Sequence, residues 1–415
     1  MLSVLKAKTP THETQQAIIN ELTEEVWLKM DLFNEGISFD PKELEEFQIG
    51  SEYQEQIHIL FDMDRTHHSG LLLPSNFYLP HGMFAAFRWD PQSRYRLVSE
   101  NKRPVIYKLG QRIAEIEFYR RPELLDQKTF NGEPFGHIAS FTPEGGVAVC
   151  YSNECALKER GEDCLYCNIN STAGAYSKEN IFIKTPKQVG EVVGAAYRRG
   201  QGNHVNLTGG FIPERRELDY YADVAEEIKE NTGLDHFNGT AVLGAPLDFS
   251  VIEKYKEAGF TTIAMNIEIW DKNIFKSICP GKEKRCGGRD NWIKALEYAV
   301  DVFGRGNVRS IIVSGIEPKQ SILEGVEKLA EKGVICFTNI WCPNPGSALE
   351  GHRSPETDWH FDITEKSVDI FIKNGYTIEQ LFNCQGASTH IHDLFRIRTE
   401  GFEEAYLPQW KFDQL

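Results

Sequence analysis

No apolar run in the chain approaches the ~18 residues that a membrane-crossing helix needs, so no membrane-spanning segment is expected. The opening residues, MLSVLKAKTPTHETQQ, lack the apolar centre of a secretory leader, and a cytoplasmic location is the expectation. Positive charge is scarce: 45 Lys and Arg stand against 61 Asp and Glu, a formal charge of −16. Nucleic acids and anionic bilayers are bound through clustered basic side chains, so neither is an expected partner. Low-complexity stretches and close internal repeats are also missing, which sets aside solenoids and linker-like arrays. What is present is a globular composition, 41% apolar with 25 Phe, 15 Tyr and 7 Trp. A chain of 415 residues exceeds one small core and fits a large domain with appendages.

Residues 1–135 read as an N-terminal extension of mixed α/β character. They combine an amphipathic helix around Gln15–Phe33 with aromatic, proline-punctuated stretches such as LLLPSNFYLPHGMFAAF. NGEPFGHIASFTPEGG, rich in Gly and Pro, reads as a connector. From Gly146 a regular alternation begins. Six β-branched runs (GVAVCY, HVNLTG, GTAVLG, FTTIAMNIE, NVRSIIVSG, VICFTNIW) are separated by helical patterns, several ending in Gly before the next strand. Such alternation predicts parallel strands joined by right-handed crossovers, in an open sheet or most of a barrel. This unit spans 136–345, and residues 346–415 read as a C-terminal α/β extension closing it. In either architecture the ligand site lies at the carboxyl ends of the strands.

Nine cysteines are the unusual endowment, and four of them fall within CYSNECALKERGEDCLYC. Cys150 ends the first predicted strand; Cys155, Cys164 and Cys167 lie in the loop after it. In a reducing compartment such spacing points to metal binding or catalysis, not to disulfides. Structural zinc prefers two paired knuckles, and here there is one C-x2-C pair with a strand residue as the fourth thiol. A thioredoxin-like pair leaves Cys155 without a role. Three thiolates in C-x8-C-x2-C suit an iron–sulfur cluster with one open iron, and Cys150 then reads as a core thiol beneath it.

The loop, with Tyr166 before its last cysteine, resembles that of the radical S-adenosylmethionine (SAM) superfamily, although the usual first gap is three residues and here it is eight. ALKERGED is expected to form an extra turn. NLTGG at the end of the second strand resembles the family's GGE motif, with Phe211 in place of the acid. MNIEIW ends the fourth strand, and IIVSGIEP at the end of the fifth resembles a motif flanking adenine. The segment from ICPGKEKRC through WCPNPGSALEGHRSP resembles the branch holding biotin synthase, HydE and methylornithine synthase. The resemblance covers about residues 140–355.

The resemblance implies a partial (β/α)6 TIM-like barrel. It further implies a [4Fe-4S] cluster on Cys155, Cys164 and Cys167, and SAM held near Tyr166, Thr208, Gly209, Gly210, Glu268, Ser314, Gly315 and Glu317. It implies a one-electron donor such as ferredoxin or flavodoxin, and a 5′-deoxyadenosyl radical that takes hydrogen from a small molecule or cofactor precursor in an anaerobic, biosynthetic setting. Rearrangement, carbon–carbon cleavage or bond formation would follow, and no catalytic residue beyond the cofactor site is assigned. Sulfur or methyl transfer with an auxiliary metal, and a zinc-binding α/β protein without catalysis, are the alternatives. The second to fourth strands carry no cysteine, against biotin-synthase-like sulfur insertion. Cys342 and Cys384, with His390 and His392 nearby, form a candidate auxiliary metal site; a tail packed under the barrel with two surface histidines is the favoured reading. Cys336 reads as a buried strand residue. His67, His68 and His81 read as surface or core polar residues.

Overall fold

The computed structural model of the chain describes residues 12–56, 71–178 and 180–400, so His67 and His68 lie outside the described residues. The expected amphipathic helix forms as α1 (His12–Glu35), with Leu22, Val26 and Met30 buried at helical spacing. After it come β1 (Ser38–Phe39) and the single-turn α2 (Pro41–Leu44), capped by the Asp40 side chain. Short strands follow: β2 (Asn76–Tyr78), β3 (Phe84–Ala86), β4 (Tyr95–Glu100), β5 (Arg103–Lys108), β6 (Gln111–Glu115) and β7 (Glu117–Phe118). They form two small sheets, ordered β1-β4-β5-β6 and β3-β2-β7.

The stretch expected to be a connector is instead anchored. Phe135, Ile138 and Phe141, at i, i+3 and i+6, are all buried. β8 (Ser140–Phe141) pairs antiparallel with β9 (Gly146–Cys150) and forms the edge of the main sheet. That sheet has seven strands in the order β14-β13-β12-β11-β10-β9-β8. Its parallel members continue as β10 (His204–Thr208), β11 (Phe237–Val242), β12 (Phe260–Ala264), β13 (Val308–Ser314) and β14 (Val334–Ile340). The crossovers hold α3 (Ala156–Glu159), α4 (Ile169–Lys178) and α5 (Pro186–Arg198), then α6 (Glu214–Thr232) and α7 (Val251–Ala258). They continue with α8 (Lys272–Ile278), α9 (Pro280–Arg285), α10 (Gly288–Phe303) and α11 (Lys319–Glu331). Local signals place these elements. Thr185 and Gln188 make a reciprocal capping box before α5, and Gly233 and Gly259 end α6 and α7 in left-handed conformation at φ +72° and +119°. The curled sheet is the expected partial (β/α)6 barrel.

The tail departs from expectation. Its described residues form helices only: α12 (Thr357–Lys373), α13 (Ile378–Gln385) and α14 (His390–Thr399). α13 lies against the amino-terminal half of the sheet's concave face: Thr240 Oγ1 donates to Cys384 O at 3.3 Å, and Arg309 reaches Gln385. One buried apolar cluster runs from Leu22 of α1 through the barrel to Ile397 of α14, so extension, barrel and tail share a core.

Candidate active site

Strand register and burial together locate the open part of the concave face. His204, Thr240, Thr262 and Arg309, near the amino ends, are buried beneath α13, with His204 Nε2 2.9 Å from Thr240 Oγ1. Towards the carboxyl ends, Ala148, Cys150, Asn206, Thr208 and Val242 are only partly covered, and Asn339 is exposed. Asn206 and Asn266 each carry a buried amide oxygen with no hydrogen-bond partner among the described residues. A partly open sheet end with apolar walls and a few polar groups suits a small-molecule site.

The cysteine loop leaves β9 at this end. Cys155 caps α3, the expected extra turn, and Gly161 at φ +66° reverses the chain towards Cys164. Cys167 N donates to Cys164 O at 3.0 Å, closing a tight turn that puts Cys164 and Cys167 side by side. All three thiols are half-buried. The loop is laced to the end of β10: Tyr151 N donates to Thr208 O, Gly210 N to Ser152 O and Ala156 N to Phe211 O, each at 2.8 Å. The glycines of NLTGG are explained here. A Cβ on Gly210 would lie 2.0 Å from Glu154 O, and one on Gly209 would lie 2.5 Å from the Tyr151 ring. They permit the cysteine loop to pack on the strand end, a reason distinct from the ligand approach inferred from sequence.

Burial pushes the Cys167 thiol up to about 12, and neighbouring Cys164 and Cys155 add to the rise. Cys164 moves down, chiefly because the Cys279 thiol is hydrogen-bonded to it. The buried Tyr166 hydroxyl is pushed well above its ordinary range and stands in the field of Glu268. Among the described residues no three His, Cys, Asp or Glu side chains converge closely enough to hold a metal ion in this arrangement. Three soft thiols from partly exposed cysteines on one loop, where the carboxylates of Glu162 and Asp163 are paired with Arg285 and Lys158, nonetheless form a donor set that fits an iron–sulfur cluster, not a hard cation.

The other predicted residues gather at the same sheet end. Glu268 follows β12 at φ +69°, held between Ile311 O and Val313 N, and its carboxylate meets Lys282 Nζ at 2.9 Å. Lys282 also donates to Asn266 O at 2.9 Å and covers the Trp292 ring at 4.5 Å. Ser314 is bonded to His360 Nδ1 at 3.1 Å, whose Nε2 is 2.9 Å from Ser354 Oγ. Gly315, at φ +120°, fits where a Cβ would meet Pro355 and His360 at 3.0 and 3.2 Å. The Glu317 carboxylate accepts from Trp270 N at 2.6 Å and Asp271 N at 2.7 Å. Ser314 and Glu317 thus brace the site through their side chains from within the protein.

Residues 150–344 match the family model described as the Radical SAM superfamily. These residues form a radical SAM domain, and the chain is an enzyme. It is 28% identical over 300 residues to the bacteriochlorophyllide c C-7(1)-hydroxylase of Chlorobaculum limnaeum, covering 69% of this chain and 74% of that one. Among solved structures it is similar to methylornithine synthase (PylB), at TM-score 0.43 and 16% identity, over 64% of this chain and 78% of that one. It is also similar to the FeFe-hydrogenase maturase HydG from Carboxydothermus hydrogenoformans, at TM-score 0.44 and 14% identity, over 63% and 58% of the two chains. The superfamily implies a [4Fe-4S] cluster and SAM.

Several sequence expectations for this chain need correction. Cys150 is not a core thiol: it shares the concave face with Thr208, its register partner, and its Sγ donates to Ser152 O at 3.5 Å and Asn153 Oδ1 at 3.4 Å. Cys342 and Cys384 do not meet. Cys384 Sγ donates to Gly306 O at the amino end of β13, whereas Cys342 follows the carboxyl end of β14 and reaches Phe33 O. The strand between them separates the supposed auxiliary ligands. His392 is fully buried and stacks on Phe337 at 5.2 Å, and burial pushes both His390 and His392 down to about 3, so these are no surface histidines. Cys336 is buried in β14, as expected. His81 pairs with Glu25 of α1 at 2.6 Å. Sequence reasoning missed Cys279, Lys282 and His360; the run SICPGK held the first two, but only tertiary register shows what they face. No helix among the described residues is long and apolar enough to cross a membrane.

Proposed function

We propose that this radical SAM enzyme takes hydrogen from a small-molecule or cofactor-precursor substrate in the carboxyl-end cavity of its barrel, with Cys155, Cys164 and Cys167 holding the [4Fe-4S] cluster. The supporting observation is the coincidence, at one end of one sheet, of three half-exposed thiols with Thr208, Glu268 and the 314–317 turn. Bound there, cluster and SAM together supply a 5′-deoxyadenosyl radical by one-electron reductive cleavage, the electron coming from a donor of ferredoxin or flavodoxin type. The chain's own residues orient and shield. Glu268, fixed by Lys282 and by the turn that Glu317 holds, offers a carboxylate oxygen to an amino or ribose hydroxyl group. Val242, Ile311, Phe337 and Trp341 give apolar walls that keep water from a reactive carbon. Anaerobic reconstitution followed by dithionite reduction with SAM is expected to release 5′-deoxyadenosine from a brown protein. A zinc-loaded protein that leaves SAM intact would contradict the proposal.

A narrower reading rests on the similarity to the bacteriochlorophyllide c hydroxylase over 69% of this chain. In that reading the substrate is a chlorophyllide-like macrocycle and the product carries one added hydroxyl. Mass spectrometry of such a pigment after turnover checks it; an unmodified pigment alongside full SAM cleavage would remove it while leaving the wider proposal standing.

A further inference from the structure

The segment joining α8 to α9 runs antiparallel to the cysteine loop. Leu165 N donates to Ile278 O and Gly281 N to Glu162 O, both at 2.9 Å. These two bonds pair residue 165 with 278 and 162 with 281, so residue 164 stands opposite 279. The approach is close enough that a Cβ on Gly281 would lie 2.3 Å from Glu162 O. Outside it, Arg285 and Lys284 pair with the Glu162 carboxylate at 2.9 and 3.4 Å, pinning the two segments together. This opposition sets the Cys279 side chain against Cys164, and the neighbouring Cys279 thiol holds Cys164 below its ordinary range. Cys279 is fully buried. Three residues on, Lys282 reaches Glu268, so a single turn of α9 serves both halves of the proposed cofactor site.

We propose that Cys279 is a positioning residue whose S–H donates to the Cys164 sulfur and thereby raises the reduction potential of the cluster that Cys164 holds. The inference rests on the proposed ligand role of Cys164. A donor at a ligating sulfur stabilises the more negative, reduced cluster over the oxidised one. A weak S–H donor in a dry setting gives a modest effect. Cys279 lies outside the ligand loop, at the junction of α8 and α9.

The test compares reconstituted wild type with Cys279→Ala, Cys279→Ser and Gly281→Ala by iron analysis and by potentiometric titration followed by electron paramagnetic resonance. All three variants are expected to keep wild-type iron. Cys279→Ala is expected to make the one-electron reduction about tenfold less favourable, a midpoint lower by about 59 mV. Cys279→Ser, which keeps a donor, should stay close to wild type. Gly281→Ala retains both cysteines but forces the segments apart, and should lower the potential as Cys279→Ala does. An unchanged midpoint in Cys279→Ala, or loss of iron in Cys279→Ser, would overturn the proposal. Full iron retained in Cys164→Ala would instead overturn the ligand assignment on which it rests.

Discussion

Glu317 accepts three hydrogen bonds, from Trp270 N, Asp271 N and Ser321 Oγ, at 2.6, 2.7 and 2.7 Å. Two of these fix the backbone just beyond Glu268, whose left-handed conformation is unusual for a residue with a side chain. Removing the carboxylate leaves two part-buried or buried amides without an acceptor, at a cost of roughly 1–3 kcal/mol each. Glu317→Ala is therefore expected to keep its iron yet release 5′-deoxyadenosine at least about tenfold more slowly, because Glu268 loses its support. Wild-type rates in that variant, measured by chromatography of the reaction mixture, would mean that the turn does not matter. The SGIEP pattern marks this glutamate in the sequence, but not its role. Its two backbone partners lie 46 and 47 positions earlier, and no local pattern carries that pairing. The same limit hides Cys279, whose meaning depends on how two loops lie against each other.

At the scale of elements, period and punctuation reveal most of the barrel. β13 and β14 carry consecutive apolar residues, Ile311–Val313 and Val334–Phe337, because helices cover one face and the interior the other, and every residue of β13 is buried. The tail is harder to read. Its two short helices, α13 and α14, are stabilised by what they cover, not by a strong pattern of their own. Their fit is tight: Gly386 ends α13 at φ +69°, and a Cβ there would lie 2.5 Å from His204 Cδ2. Gly386→Ala is expected to destabilise by about 1–3 kcal/mol and to lower the melting temperature without altering iron binding. α14 is also tied to α1 by the buried pair Lys29–Asp393 at 2.6 Å. Lys29→Met strands a buried carboxylate and should cost about 3 kcal/mol, whereas Lys29→Met with Asp393→Leu should recover much of it. Thermal unfolding of the single and double variants tests this; equal losses in both would show that the ion pair itself, not the stranded charge, matters.

For the whole molecule, burial of histidines sets the acid limit. His204 and His360 are pushed down to about 4 and His392 to about 3 by burial. The unfolded chain takes up these protons below about pH 6.5 while the folded chain refuses them, so stability present above pH 6.5 is lost as pH falls towards 4. Each histidine contributes up to about 1.4 kcal/mol per pH unit in that window. Melting temperature should thus fall steadily from pH 7 to pH 5, and a flat profile would contradict the burial of these rings. The shared core running from α1 to α14 makes the loss cooperative across extension, barrel and tail. The claim that binds sequence, fold and function is the choice of three thiols among the four in one loop. Iron analysis after anaerobic reconstitution decides it. Cys155→Ala, Cys164→Ala and Cys167→Ala are each predicted to lose the cluster, while Cys150→Ala keeps about four iron per chain. Loss of iron in Cys150→Ala equal to that in the other three would contradict the assignment.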